Sequence, residues 1–217
     1  MMKSTEFITH NLTNTEKQII LEYNIPEQII STLQQIKHNC KPYLIQNPSP
    51  IASSPLFRGL RTHKTSVTGQ VRLDNRKPMS SPQHIHVKMN DIFKEKYGSE
   101  FRNAMFCTGR YSMASAYGTV YYIFPEQDFK FLWSPKVYDL YRLYSKYREK
   151  LPIQHFIEDN MSILSSYKTT DLVSAIKSEN EIMIRAKSYV GLNADFISTE
   201  ASPDTFKGIE EFLHNDK

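Results

Sequence analysis

Glycine is scarce in this chain, with seven in 217 residues and no Gly-x-Gly-x-x-Gly, Walker loop or Gly-x-Ser-x-Gly among them. That excludes the phosphate-cradling turns of Rossmann-type and P-loop nucleotide folds and the nucleophile elbow of serine hydrolases. Cysteine is scarcer still. Cys40 and Cys107 lie far apart in separate expected elements, which argues against a disulfide framework and suits a reducing compartment. Cys107 falls in an apolar strand pattern and reads as a small buried hydrophobe rather than a nucleophile. No apolar run is long enough to span a bilayer, and the opening MMKSTEFITHNLTNTEKQ lacks the apolar centre of a signal peptide. A cytoplasmic protein with no membrane partner is therefore expected. His84 and His86 sit two apart on an expected helix and so point apart, and no His/Cys/Asp/Glu cluster completes a site, so no metal is expected.

What the chain does have is enough apolar content, 40%, to build one full core, and an uneven distribution of charge behind its net +4. Arg58 to Arg102 holds ten Lys/Arg against four Asp/Glu, whereas His155 to Lys217 holds six against eleven. Solvated faces account for most of these side chains. The sharper reading is that Arg58, Arg61, Lys64, Arg72, Arg76 and Lys77 surround an anionic ligand such as a pyrophosphate or a nucleic acid.

Periodicity gives an α+β chain with an N-terminal annex over residues 1–45 and a main domain over 46–217. In the annex, Thr15 to Tyr23 and Pro26 to His38 read as a helical hairpin, the second helix carrying Ile29, Ile30, Leu33 and Ile36 on one face. Pro42 to Pro55 reads as a connector leading to a strand at Arg58, and Thr62 to Asn75 as a polar segment. Ser80-Ser81-Pro82 would cap a helix from His84 to Tyr97, ended by Gly98. Strands are expected at Met105 to Thr108, Thr119 to Phe124 and Phe129 to Trp133, with a brief helix at Tyr111 to Tyr117. Helices follow over Pro135 to Arg148, Pro152 to Ser165 and Thr170 to Lys177. Glu181 to Ala186 and Ser188 to Leu192 read as a strand pair, and Asp204 to Leu213 as a last helix. Tyr138, Tyr141, Tyr144 and Tyr147 recur every three residues, a helical stripe for packing or for a partner surface rather than a cofactor box.

Chemistry concentrates at Glu179-Asn180-Glu181, where two carboxylates spaced i, i+2 at the mouth of an apolar strand would share one face. Upstream, in order, come Phe57-Arg58-Gly59-Leu60 and Met105-Phe106-Cys107-Thr108-Gly109. This trio resembles the mono-ADP-ribosyltransferase superfamily of the arginine, serine-threonine-serine, glutamate type, in which an early strand carries Arg, a middle strand Ser/Thr and a late strand opens with Glu-x-Glu. The block from Arg76-Lys77-Pro78 to Trp133-Ser134-Pro135 is similar to bacteriophage proteins of this kind. The resemblance covers roughly residues 55 to 193. In the middle motif the chain has Thr108-Gly109-Arg110 in place of Ser-Thr-Ser and keeps only the first hydroxyl.

The resemblance implies a split, mainly antiparallel sheet with flanking helices, NAD as substrate, and modification of a host macromolecule during infection, with a protein arginine as first acceptor and nucleic acid as another. It assigns Glu181 to stabilising the cation formed as the bond to nicotinamide breaks, and Glu179 to engaging the acceptor. Arg58 would fork onto the pyrophosphate, with Gly59 allowing close approach. Thr108 would hold the nicotinamide ribose or the catalytic Glu, and Tyr117 would stack on the nicotinamide ring. Two other classes stay open. One is a transferase-fold virion or interaction protein without activity. The other is a nucleic-acid-binding module that uses the Arg58 to Arg102 block with Phe57, Phe93, Tyr97 and Phe101 as stacking surfaces.

Overall fold

A computed structural model of the protein describes residues 12–78, 82–146, 153–200 and 202–215, apart from the side chains of 153 and 154. The described chain is α+β, with two antiparallel sheets. Strands β1 (Phe57–Leu60), β2 (Ser66–Gln70), β4 (Thr119–Pro125) and β7 (Ser188–Asn193) form a four-stranded sheet in the order β1-β4-β7-β2. Strands β3 (Met105–Cys107), β5 (Lys130–Trp133) and β6 (Ile182–Arg185) form a three-stranded sheet in the order β3-β6-β5. The sheets meet where Phe57 and Thr108 form a single antiparallel bridge. They meet again where the chain passes from β6 to β7 through Ala186 and Lys187.

That passage corrects the expected strand pair. β6 pairs with β3 and β5, and β7 with β4 and β2, so the two-residue link carries the chain from one sheet to the other rather than closing a hairpin. The three-stranded sheet has a core on each face, which explains its unbroken apolar runs. Ile182, Ile184, Met105, Cys107, Phe131 and Trp133 enter one core, while Met183 and Leu132 enter the other, against which Phe106 packs. A strand buried on both faces has no polar side to alternate with.

The helices are α1 (Asn14–Glu22), α2 (Glu27–Asn39), α3 (Lys41–Gln46), α4 (Gln83–Tyr97), α5 (Tyr111–Ser115), α6 (Leu140–Ser145), α7 (Ile153–Asp159), α8 (Met161–Leu164), α9 (Leu172–Lys177), α10 (Ala194–Glu200) and α11 (Pro203–His214). A capping box between Thr13 and Glu16 starts α1, and the Glu16 carboxylate also takes Lys37 Nζ at 2.8 Å. Ile29, Leu33 and Ile36 of α2 share one core with Phe124 of β4 and Phe212 of α11, so these helices complete the main core rather than forming their own. The expected connector contains α3, whose Pro42 sits in the first turn where a missing N–H costs nothing. The expected polar segment contains β2, an edge strand whose half-exposed side chains hide the strand period. α4 ends at Gly98 as expected, but its N-cap is Pro82 without a side-chain bond; Ser80 and Ser81 lie outside the described residues, as does Tyr147 of the tyrosine stripe. The long helix read from Pro135 shortens to α6, and the next is broken at Asn160 into α7 and α8. Among the described residues, no helix is long and apolar enough to cross a membrane.

Helix α11 docks where Gly208 meets Tyr23 at the end of α1, and a Cβ built on Gly208 would lie 2.2 Å from the Tyr23 Cβ. Gly208→Ala should therefore force the two helices apart and cost about 1–3 kcal/mol, read as a lower urea midpoint with an unchanged slope. An unchanged midpoint would mean that this helix contact contributes nothing to stability.

Candidate functional site

The motif-bearing segments converge on the seam between the sheets. In the bridge, Phe57 N donates to Thr108 O at 2.7 Å and Thr108 N to Phe57 O at 3.0 Å. Beside it, Arg58 Nη1 donates to the Phe106 carbonyl at 2.8 Å. The Thr108 hydroxyl, buried, donates to the Glu179 carbonyl at 2.9 Å and accepts from Arg110 N at 3.1 Å. Thr108 thus pins the turn that delivers Glu181. From the other side, Glu181 N donates to Tyr138 O at 2.8 Å and Asn180 Nδ2 to Ser134 O at 2.8 Å.

Glu179 and Glu181 do not share a strand face. Glu179 follows the C-terminus of α9 in the left-handed region, with φ of +59°, and β6 begins only at Ile182. The Glu179 side chain is 53% exposed, 3.8 Å from Arg110 Nε. Glu181 is 15% exposed and is held by Arg102 Nη1 at 3.0 Å. The i, i+2 rule applies to a continuous strand, and the positive φ breaks that continuity.

Gly59 does allow a close approach, but to protein. A Cβ there would lie 2.1 Å from the Ala114 carbonyl of α5 and 2.9 Å from the Tyr117 Cβ. Tyr117 itself is exposed beyond the end of α5. Partial burial, then the charges of Asp139 and Glu181, push its phenol up.

The sequence placed Arg76 among the cations around an anionic ligand but gave no role to Phe106 or Arg102, the other residues that organise the centre. Phe106, in the middle of β3, has the Arg76 guanidinium 4.4 Å and the Arg102 guanidinium 4.6 Å from its ring centroid, while Arg58 holds its carbonyl. Arg102 N donates to Asn90 Oδ1 at 2.7 Å, and Arg76 Nη1 bonds the Ala104 carbonyl. Burial, and then repulsion from Arg58 and Arg102, lower Arg76 to about 10. Burial raises the Glu181 carboxyl above its ordinary value; Arg102 opposes that rise and Asp139 adds to it. Both arginines lie inside the basic block, but nothing in the sequence separates an inserted arginine from a solvated one. Arg58, Arg72, Arg76 and Lys77 line a cavity of about 310 Å³ with Gln70, Val71, Ala104, Met105 and Tyr189.

His86 is buried, with its ring within hydrogen-bonding distance of Asn103 and Asn90, and burial lowers its basicity. Among the described residues, no group of His, Cys, Asp or Glu is placed to hold a metal ion. Cys40 and Cys107 are buried free thiols, and burial raises Cys107 to about 12. The chain matches no family model, no curated protein and no solved structure.

Removing one partner of a buried ion pair costs about 3–5 kcal/mol, so Arg102→Gln should destabilise the protein by that order at pH 7. The Glu181 pKa is raised in the folded state, so the fold binds the proton more tightly than the unfolded chain. Its contribution is full below the ordinary carboxyl value of 4.5 and is lost as pH rises through the elevated folded value. The gap between Arg102→Gln and the wild type should therefore narrow from pH 7 to pH 5, and adding Glu181→Gln should restore part of the loss. Urea unfolding at both pH values measures this, and a gap that widens on acidification would show that Glu181 is not the group left unpaired.

Proposed function

We propose that the protein is an NAD-dependent mono-ADP-ribosyltransferase, with Glu181 as its central carboxylate. The observation that carries this reading is the convergence of three segments distant in sequence. The Arg58 strand, the Thr108 strand and the Glu179 to Glu181 turn meet through the Phe57–Thr108 bridge, the Arg58 bond to Phe106 and the Thr108 bond to Glu179. The split pair of antiparallel sheets is of the kind that the resemblance implies.

In this reading the cavity beside Arg58 takes the pyrophosphate, whose negative charge meets Arg58, Arg72, Arg76 and Lys77. The bond between the ribose anomeric carbon and the nicotinamide nitrogen breaks, and its electron pair leaves with nicotinamide. Glu181 stabilises the positive charge that develops on the ribose. An acceptor nitrogen or oxygen then bonds the anomeric carbon and gives up its proton to the solvent-exposed Glu179 carboxylate. Arg102 holds Glu181 in place and opposes its protonation, and Tyr117 offers a flat, exposed ring near the departing base. A host macromolecule as acceptor, bacteriophage infection as the setting and the host cytoplasm as the location follow from the sequence resemblance.

A second reading is supported by the same ion pair. Because Glu181 is 15% exposed and already engaged by Arg102, the protein is then an interaction or virion component that keeps the arrangement without turnover. Isotopically labelled NAD separates the two in a lysate of a bacterial host. The transferase releases nicotinamide and labels a macromolecule, and Glu181→Gln lowers the rate at least about 100-fold, the loss typical of removing a transition-state electrostatic contact. A folded wild type that neither binds NAD nor releases nicotinamide would overturn the transferase reading and leave the interaction or nucleic-acid-binding reading.

A further inference from the structure

Two cavities open side by side around β2 and share Tyr189 as a wall. The larger, about 560 Å³, is lined by Thr32, Gln35, Leu60, Arg61, Thr62, Lys64, Ser66, Val67, Thr68 and Tyr189. The smaller, about 310 Å³, carries Arg58, Arg72, Arg76 and Lys77. Among the described residues that line them there are six cations and no carboxylate. Surface cations usually have carboxylates interspersed, and a concave surface of a single sign focuses its field outward.

One small anion does not satisfy this arrangement. Arg76 lies over the Phe106 ring at 4.4 Å, where burial first and then Arg58 and Arg102 lower its basicity, and the positive lining continues past Tyr189 to Arg61 and Lys64. A ligand with regularly spaced negative charges fits both cavities at once. Duplex recognition uses an element that projects into a groove, whereas this surface is recessed and suits a flexible strand. The Tyr189 ring lies over Gly69, where a Cβ would come within 2.5 Å of it, so the shared wall is flat and aromatic. The larger cavity also has the hydroxyls of Thr62 and Thr68, which can bond to sugar hydroxyls, while Thr32 donates to Ser66 Oγ at 3.0 Å in its wall.

We propose that the two cavities joined at Tyr189 form a binding track for a single-stranded nucleic acid, whose phosphates pair with Arg61 and Lys64 on one side and with Arg58, Arg72, Arg76 and Lys77 on the other. The track differs from the basic block as read in sequence. Phe57, Phe93 and Phe101 are buried and unable to stack on bases, and Tyr97 packs on Phe93 and bonds the Tyr167 carbonyl. Lys88, Lys94 and Lys96 lie on α4 and line neither cavity. Binding requires no turnover of NAD, so it stands or falls separately from the transferase reading.

The test uses the full chain and a fluorescently labelled single-stranded RNA of about 12 nucleotides, within the usual span of such sites. Anisotropy titration without NAD should show binding that weakens steeply with salt, with a log–log slope of about 2–4. Arg61, Lys64, Arg72 and Lys77 are exposed, so neutralising them leaves the fold intact. The Arg61→Gln/Lys64→Gln pair and the Arg72→Gln/Lys77→Gln pair should each weaken binding about tenfold and lower the salt slope by about 1. The Lys17→Gln/Lys88→Gln pair, on exposed helix faces away from the cavities, should leave both unchanged. Any one of three results overturns the proposal: no binding at low salt, equal losses in all three paired variants, or full displacement of the RNA by an equimolar amount of inorganic pyrophosphate. The last would reveal a site for a small phosphorylated ligand.

Discussion

The bridge between Phe57 and Thr108 is the contact on which the site depends. β1 and β3 are each an edge of their own sheet, and a single residue pair joins them before they diverge. Backbone groups two residues apart on a strand aim at the same edge, so the carbonyl of Phe106 faces the gap that Thr108 has just closed. No β1 backbone group reaches it. The Arg58 side chain does, at 2.8 Å, and replaces the missing rung of the ladder. An unpaired carbonyl at this depth would cost about 1–3 kcal/mol. Arg58 therefore has a structural role even before any ligand arrives.

The seam also determines how charge is distributed. Three guanidiniums gather around one β3 residue, and among the described residues the only carboxylate directly paired with their side chains is Glu181, which Arg102 takes. Carbonyl oxygens, the Phe106 ring and the Met183 sulfur supply further favourable contacts, which ease the burial of positive charge without cancelling it. Arg76, with burial and two cationic neighbours working against it, is the clearest sign of the imbalance. An excess of positive charge held by a rigid seam and opening onto a cavity attracts phosphate with little reorganisation. A pyrophosphate and a polynucleotide use the same physics and differ in how far along the cavities the charge extends.

The sequence made some of this legible and concealed the rest for identifiable reasons. The α+β class, the strand at Arg58, the apolar runs at Met105 and Ile182 and the end of α4 at Gly98 all follow local rules of pattern and capping. β2 was hidden because an edge strand with the sequence Ser-Val-Thr-Gly-Gln has little apolar alternation. The exchange of sheets between β6 and β7 was hidden because pairing partners are not a local property, and a two-residue link usually means a hairpin. Arg58, Thr108 and Glu181 could be picked out as an ordered trio. Arg102 could not, because its ion pair with Glu181 spans 79 residues and its composition is that of any solvated arginine.

Glu179 shows how a spacing can be noticed in sequence while its geometry is misread. The last turn of α9 ends at Ser178, and Glu179 takes the left-handed position that follows a helix, its N–H bonding Ile176 O at 3.0 Å. Glycine is the usual residue there because it carries no Cβ penalty. A glutamate accepts about 1 kcal/mol of backbone strain, which the surroundings must hold in place. Thr108 does so through the Glu179 carbonyl, Ser134 through Asn180, and Tyr138 through the Glu181 amide. These bonds fix three successive residues from two separate parts of the chain. The result is a Glu181 whose position is set by the backbone on both sides and whose carboxylate is set by Arg102, while Glu179 turns out to solvent beside Arg110. The Thr108 hydroxyl is therefore the one that stabilises this turn, and the shape of the turn, more than the pairing of two glutamates, places the Glu181 carboxylate at the seam.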